Sequence, residues 1–201
     1  MALVAVAAPT QPTDVVTATM VATDSAGVAT ATIVATAPVA TATATTAPSV
    51  TINPGSSVEF QLYGSDLCIG FPDAVVGANM FLTTCGAPGT IFDLPSGAPT
   101  ESTQLVLSAS RSGEGPIVCV NARDVAINNP LRADVCEDDQ LERWRIVGGS
   151  GTGTIVSTGT SPDVGVSCLS APTNTQGSPV TFGSCTGGYS QQWNTIVLSD
   201  N

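Results

Sequence analysis

The six cysteines are the residues of this chain whose type and spacing could do chemistry. They form three pairs: Cys68 and Cys85, Cys119 and Cys136, Cys168 and Cys185. Each pair is Cys-x16-Cys, and the pairs recur after 51 and then 49 residues. Three identical spacings favour one bridge inside each of three equivalent units over crossing connectivities. Metal binding is the competing chemistry; it ordinarily needs closely spaced cysteines with histidine support, and the chain has neither. A bridge closing so short a loop contributes about 3 kcal/mol in the chain-entropy model and implies folding in an oxidising compartment.

Most other chemistry is excluded by composition. The sequence holds no His and no Lys. That removes Ser-His and Cys-His nucleophile pairs, His-ligated metals, Schiff-base chemistry and a phosphate-loop lysine. Asp138 and Asp139 are adjacent, which on a strand aims the two carboxylates to opposite faces, so a glycosidase pair is not expected. Gly148-Gly149-Ser150-Gly151-Thr152-Gly153 lacks the lysine and following helix of a phosphate loop and reads as a flexible connection. We therefore expect no catalytic residue, no metal and no cofactor. The formal net charge of −11 makes nucleic acid and anionic membrane poor partners.

The elements that must position these cysteines differ along the chain. Residues 1–50 are dominated by Ala, Thr and Val, interrupted by Pro9, Pro12, Pro38 and Pro48, and show no helical stripe. They read as a low-complexity stalk of the kind that carries O-glycans, or as an unmodified disordered tail. The uncharged stretch from Ser25 to Val58 is too rich in Thr and Pro for a membrane span. Residues 1–8 resemble the remnant of an export signal. From about Thr51 the texture changes to short β-type runs between Gly, Pro, Asn, Asp and Ser. Val58–Leu62, Gln104–Leu107 and Thr154–Val156 precede the three first cysteines. Leu67–Ile69, Ile117–Val120 and Val166–Leu169 contain them. The segment from Asp138 to Ile146 reads as a turn followed by a strand. Residues 51–201 are thus an all-β body with internal threefold repetition, and three units are too few to close a propeller.

Eight residues after the second cysteine of the last two units stands a tryptophan, Trp144 and Trp193. The third unit ends Gln191-Gln192-Trp193, a Gln-x-Trp motif. The second has Glu142-Arg143-Trp144, and the first Thr90-Ile91-Phe92. Over about residues 55–201 this pattern resembles the ricin B-type lectin family, also classed as carbohydrate-binding module family 13. The resemblance implies a β-trefoil: twelve strands in three four-stranded units around a pseudo-threefold axis, with the terminal aromatic of each unit in the core. A large aromatic repeated at one place in each unit suits a shared symmetric core. Direct contact of Trp144 and Trp193 with ligand is the alternative.

The resemblance also implies where sugar would bind. In the family an Asp two residues after the first cysteine usually receives vicinal hydroxyls, and an aromatic two residues before the second stacks on the ring. The corresponding residues here are Gly70, Asn121 and Ser170, and Thr83, Asp134 and Gly183. The second unit is the best candidate, with Asn121, Asp124, Asn128 and Asp134 as polar contacts. Asn121 and Asp124 are expected on an exposed loop. Asn128-Asn129-Pro130 can equally be turn chemistry. The third unit offers Asn174, Gln176, Tyr189 and Gln191, where Tyr189 would supply an aromatic face and Gln191 is as well suited to bracing backbone. The first unit reads as degenerate. Two functions follow: a secreted carbohydrate-binding module for glycans or polysaccharide, or a β-trefoil that has lost sugar binding and acts as a structural, protein-binding or protease-inhibiting module.

Peptide mapping without reduction should recover Cys68–Cys85, Cys119–Cys136 and Cys168–Cys185. A bridge between two different units would overturn the threefold reading.

Overall fold

The computed structural model describes residues 16–24, 27–35, 51–122, 126–159 and 166–199. The chain divides into two units, Met1–Thr45 and Thr46–Asn201. In the first, β1 (Val16–Asp24) pairs antiparallel with β2 (Gly27–Ala35), in register from Val16 opposite Ala35 to Asp24 opposite Gly27. This hairpin lies within the segment expected to be a stalk or disordered tail. Its residues are rich in β-branched Val and Thr, which favour extended backbone. The rest of that segment, including the signal-like residues 1–8, lies outside the described residues.

The second unit repeats one four-strand pattern three times. The first repeat runs β3 (Ser56–Leu62), β4 (Leu67–Gly70), β5 (Phe81–Thr84) and β6 (Phe92–Leu94). In the second, the opening strand is split at Leu105 into β7 (Thr103–Gln104) and β8 (Val106–Leu107), followed by β9 (Val118–Asn121), β10 (Arg132–Val135) and β11 (Arg143–Ile146). The third is split at Thr154 into β12 (Thr152–Gly153) and β13 (Ile155–Ser157), followed by β14 (Ser167–Ser170), β15 (Thr181–Ser184) and β16 (Trp193–Ser199). The sequence placed the first two strands of each repeat and the strands that carry Trp144 and Trp193; β5, β6, β10 and β15 it did not locate.

First and last strands pair around a ring: β3 with β6, β6 with β8, β7 with β11, β11 with β13, β12 with β16, and β16 back to β3. Because each split strand is continuous but for one residue, six strands close a barrel and leave no free edge. Alternating residues such as Val58, Phe60 and Leu62 fill it. The middle strands form three hairpins, β4–β5, β9–β10 and β14–β15, each clamped by its disulfide. The hairpins meet on the axis: Met80 N donates to Leu131 O at 2.8 Å, Leu131 N to Val180 O at 3.0 Å, and Val180 N to Met80 O at 3.0 Å. This is the threefold body that the repeats implied, in the trefoil-like arrangement that the family resemblance implied.

Trp144 and Trp193 are fully buried, and their indole N–H groups donate to the carbonyls of Val120 at 3.1 Å and Leu169 at 3.3 Å, equivalent points in the two repeats. The first repeat solves the same packing problem differently. Phe92 stands for Trp and packs edge-on against Phe71, with centroids 6.4 Å apart. Ala122 and Ala171 occupy the position of Phe71 in the other repeats, as shown by their shared backbone bonds to the following turn. A Phe–Phe pair thus fills the volume that Trp and Ala fill elsewhere, the kind of exchange close-packed cores tolerate.

Replacing Trp193 or Trp144 by Ala should destabilise the body by about 3–5 kcal/mol in denaturant unfolding. Trp193→Phe, which keeps most of the volume but leaves the Leu169 carbonyl without its donor, should cost less.

Candidate functional site

Each repeat brings three positions to one face. They are the residue two after the first cysteine, the residue two before the second, and the last residue of a three-residue 3-10 turn that leads into the fourth strand. The turns are Pro88–Thr90, Gln140–Glu142 and Tyr189–Gln191. All three last residues are buried, and each repeat must also supply an acceptor to the N–H of the residue after the second cysteine.

The repeats meet that requirement with different side chains. In the third, Gln191 Oε1 accepts from Thr186 N at 2.7 Å and Gly187 N at 3.1 Å, while its Nε2 donates to Ser184 O at 2.8 Å. In the second, Glu142 Oε2 accepts from Glu137 N at 2.7 Å and from Gln104 Nε2 at 3.1 Å. In the first, the turn supplies only Thr90, and Glu59 on β3 takes over: its Oε1 accepts from Gly86 N at 2.6 Å and from the Thr90 hydroxyl. Glu59 and Gln104 stand at corresponding places, two residues before the partners of Cys68 and Cys119. Sequence reading missed both. Their spacing to the cysteines differs because the helical turn Ser108–Arg111 is inserted in the second repeat.

The consequences for the expected sugar contacts differ by repeat. In the first, the face is closed: a methyl group on Gly70 would meet Gly89 O and Thr90 Cγ2 at 3.0 Å. In the second, Asn121 is only 2% exposed, the last residue of a strand buried throughout, and its Nδ2 donates to Glu142 Oε1 at 3.0 Å. The expectation that Asn121 lies on an exposed loop is therefore corrected: a buried carboxylate draws its amide inward. Asp124 lies outside the described residues. Asp134 is half-buried on β10, and its Oδ1 accepts from the N–H of Val135 at 2.8 Å.

The third repeat has a notch where Gly183, itself buried on β15, carries no side chain. A side chain on Gly183 would meet Ser170 Cβ at 3.6 Å, Asn128 Oδ1 at 3.9 Å and Gln191 Nε2 at 3.9 Å. Asn128 arrives from the second repeat. It sits in the left-handed region at φ 67°, in the turn whose N–H donates to Phe182 O at 2.7 Å. Gly77 and Gly177, at φ 87° and 83°, hold the same turn at the other two junctions. Asn tolerates this conformation better than most residues. Only the junction between the second and third repeats thus carries a side chain there. Asn174 and Gln176 are exposed in the loop between β14 and β15, and Tyr189 is 80% exposed at the start of its turn. The structure therefore brings Asn128 and Gln191 to the same glycine from two repeats, whereas the sequence assigns them to separate sites. Among the described residues no group of three His, Cys, Asp or Glu side chains is placed to hold a metal ion.

No family model and no curated protein matches this chain. Solved structures do. A designed threefold-symmetric protein, ThreeFoil, superposes with a TM-score of 0.58 at 16% identity, covering 70% of this chain and 97% of that one. An exo-β-1,3-galactanase from Clostridium thermocellum, 1,3Gal43A, gives 0.59 at 14% identity, over 73% of this chain and 31% of that one. The Polyporus squamosus lectin, solved with the human-type influenza-binding epitope Neu5Acα2-6Galβ1-4GlcNAc, gives 0.54 at 9% identity, over 71% and 49%. This chain spans less than half the length of the two natural proteins. At such identities the likeness is one of fold, and that fold is a β-trefoil-like one.

Because Glu142 is buried and receives the Asn121 amide, Asn121→Ala should destabilise the body by about 1–3 kcal/mol in denaturant unfolding. Unchanged stability would restore Asn121 to the exposed-loop reading.

Proposed function

We propose that residues 51–201 form a secreted, non-enzymatic carbohydrate-binding module whose glycan site is the notch of the third repeat. The observation that carries this is the position of Asn128: one junction of three replaces glycine by an exposed residue whose amide oxygen comes within 3.9 Å of where a Gly183 side chain would stand. An amide offers two donors and an acceptor, and the Ser170 hydroxyl offers one donor and further acceptor capacity, a set that matches two neighbouring hydroxyls of a pyranose. Asn174 and Gln176 extend the polar rim. Support for the ligand class comes from the fold shared with a lectin and with a galactanase. Support for secretion comes from three disulfides in a chain without a free cysteine. So shallow a site would bind near millimolar, about −4 kcal/mol.

A second reading, a trefoil acting as a structural, protein-binding or protease-inhibiting module, is favoured by one observation. The first face is sealed by Thr90 and Gly89.

Asn128→Gly separates the two roles of this residue, since glycine already makes the same turn twice in this protein. The variant should keep its melting temperature and bind the glycans selected on an array about tenfold more weakly than the parent chain. If the parent chain binds no glycan on the array, the second reading replaces the first.

A further inference from the structure

Tyr63 and Tyr189 stack with ring centroids 6.1 Å apart and planes within 9° of parallel. Both are exposed, at 48% and 80%, whereas the two tryptophans and Phe60, Phe71, Phe92 and Phe182 are buried. Tyr63 follows β3, and its N–H donates to Gln192 O at 2.9 Å, so the pair straddles the seam between the first and third repeats. We propose that this pair is a second carbohydrate-binding platform, distinct from the Asn128 notch, that takes two consecutive sugars of a neutral linear polysaccharide.

The repeats supply an internal control. Ser108 N donates to Ile91 O at 3.0 Å, and Thr158 N to Arg143 O at 2.9 Å, which marks Ser108 and Thr158 as the counterparts of Tyr63. The counterparts of Tyr189 at the start of the other two turns are Pro88 and Gln140. Two of the three seams therefore close with no aromatic at either place. The barrel does not require the tyrosines, and leaving two large rings in water has no packing benefit.

What surrounds the rings identifies the ligand. Leu62 and Phe60 face the core, so Gln61 shares the outer side of the strand with Tyr63. Asn194 lies opposite Gln61 with Nδ2 3.5 Å from its Oε1, and Thr152 Oγ1 donates to Asn194 Oδ1 at 2.5 Å. The strip thus runs from two aromatic faces into amides and a hydroxyl, and none of these side chains carries a charge. Aromatic faces receive the apolar C–H side of a pyranose, and amides receive its hydroxyls. Nucleobases would also stack, but a chain of net charge −11 repels their phosphates. Proline-rich peptide docks in a groove between aromatic walls, whereas these rings are stacked on each other with centroids 6.1 Å apart and leave no groove between them for a proline ring.

The proposal rests on the carbohydrate reading for its ligand class but not for its location. The test uses the full chain and neutral β-linked gluco-, xylo- and galacto-oligosaccharides of increasing length, titrated calorimetrically. Affinity should rise from one sugar to two. Tyr63→Ala with Tyr189→Ala should weaken binding of the longer chains by about tenfold or more at unchanged melting temperature, while Tyr63→Phe with Tyr189→Phe retains it. If the alanine pair binds as the parent does while Asn128→Gly loses binding, the platform falls and the notch stands. If the parent binds none of the sugars, both fall, and tyrosine-dependent binding of a polyproline peptide would assign the pair to a protein partner instead.

Discussion

Three backbone hydrogen bonds on the axis, from Met80 to Leu131, Leu131 to Val180 and Val180 back to Met80, are the contacts on which the body depends. All three residues are fully buried, so their amide groups have no recourse to water. No single repeat can satisfy them, since each donor finds its acceptor in another repeat. A hairpin that delivered its residue in the wrong register would leave a buried polar group unpaired at a cost of about 1–3 kcal/mol. This accounts for the pattern in the cysteines. Each disulfide clamps the open end of a hairpin, and identical hairpins need identical spans between their cysteines. The segments between hairpins face no such restriction, and there the repeats differ in length.

The same logic explains how the repeats diverge without losing equivalence. The N–H after each second cysteine finds a side-chain oxygen in every repeat, but it does not matter whether Gln191, Glu142 or Glu59 provides it. A fixed core volume must be filled, but Phe71 with Phe92 serves as well as Ala with Trp. Physical demand is conserved among the repeats, and residue identity is not. Departures that answer no such demand are therefore informative: Asn128 in a turn that glycine makes elsewhere, and Tyr63 with Tyr189 at a seam that closes elsewhere without rings.

An acidic side chain buried at the strand-turn junction also shapes the surface. Glu142 gathers Asn121, Gln104 and the Glu137 amide around itself, which turns the second repeat's polar residues inward. The third repeat, with neutral Gln191 meeting its backbone partners directly, leaves Ser170 half-buried beside the side-chain-free Gly183, with Asn128 nearby. Which repeat carries such a notch is decided by this buried chemistry more than by the exposed residues themselves.

The sequence by itself determined the β class, the three repeats, the pairing of the cysteines and the burial of Trp144 and Trp193. Each of these rests on spacing within one unit, repeated often enough to be read. Tertiary structure alone decided that Glu59 substitutes for the short Thr90, that Asn121 is buried, that Asn128 belongs with the third repeat's Ser170 and Gln191, and that Tyr63 meets Tyr189. The hairpin of Val16–Asp24 and Gly27–Ala35 was hidden for a related reason: a run of Ala, Thr and Val has the same composition whether or not its two halves pair. Spacing along a chain encodes contacts that local geometry can reach. The ring closure that brings β16 against β3 joins residues more than a hundred positions apart, as the bond from Asn194 to Gln61 shows, and only the folded barrel sets that distance.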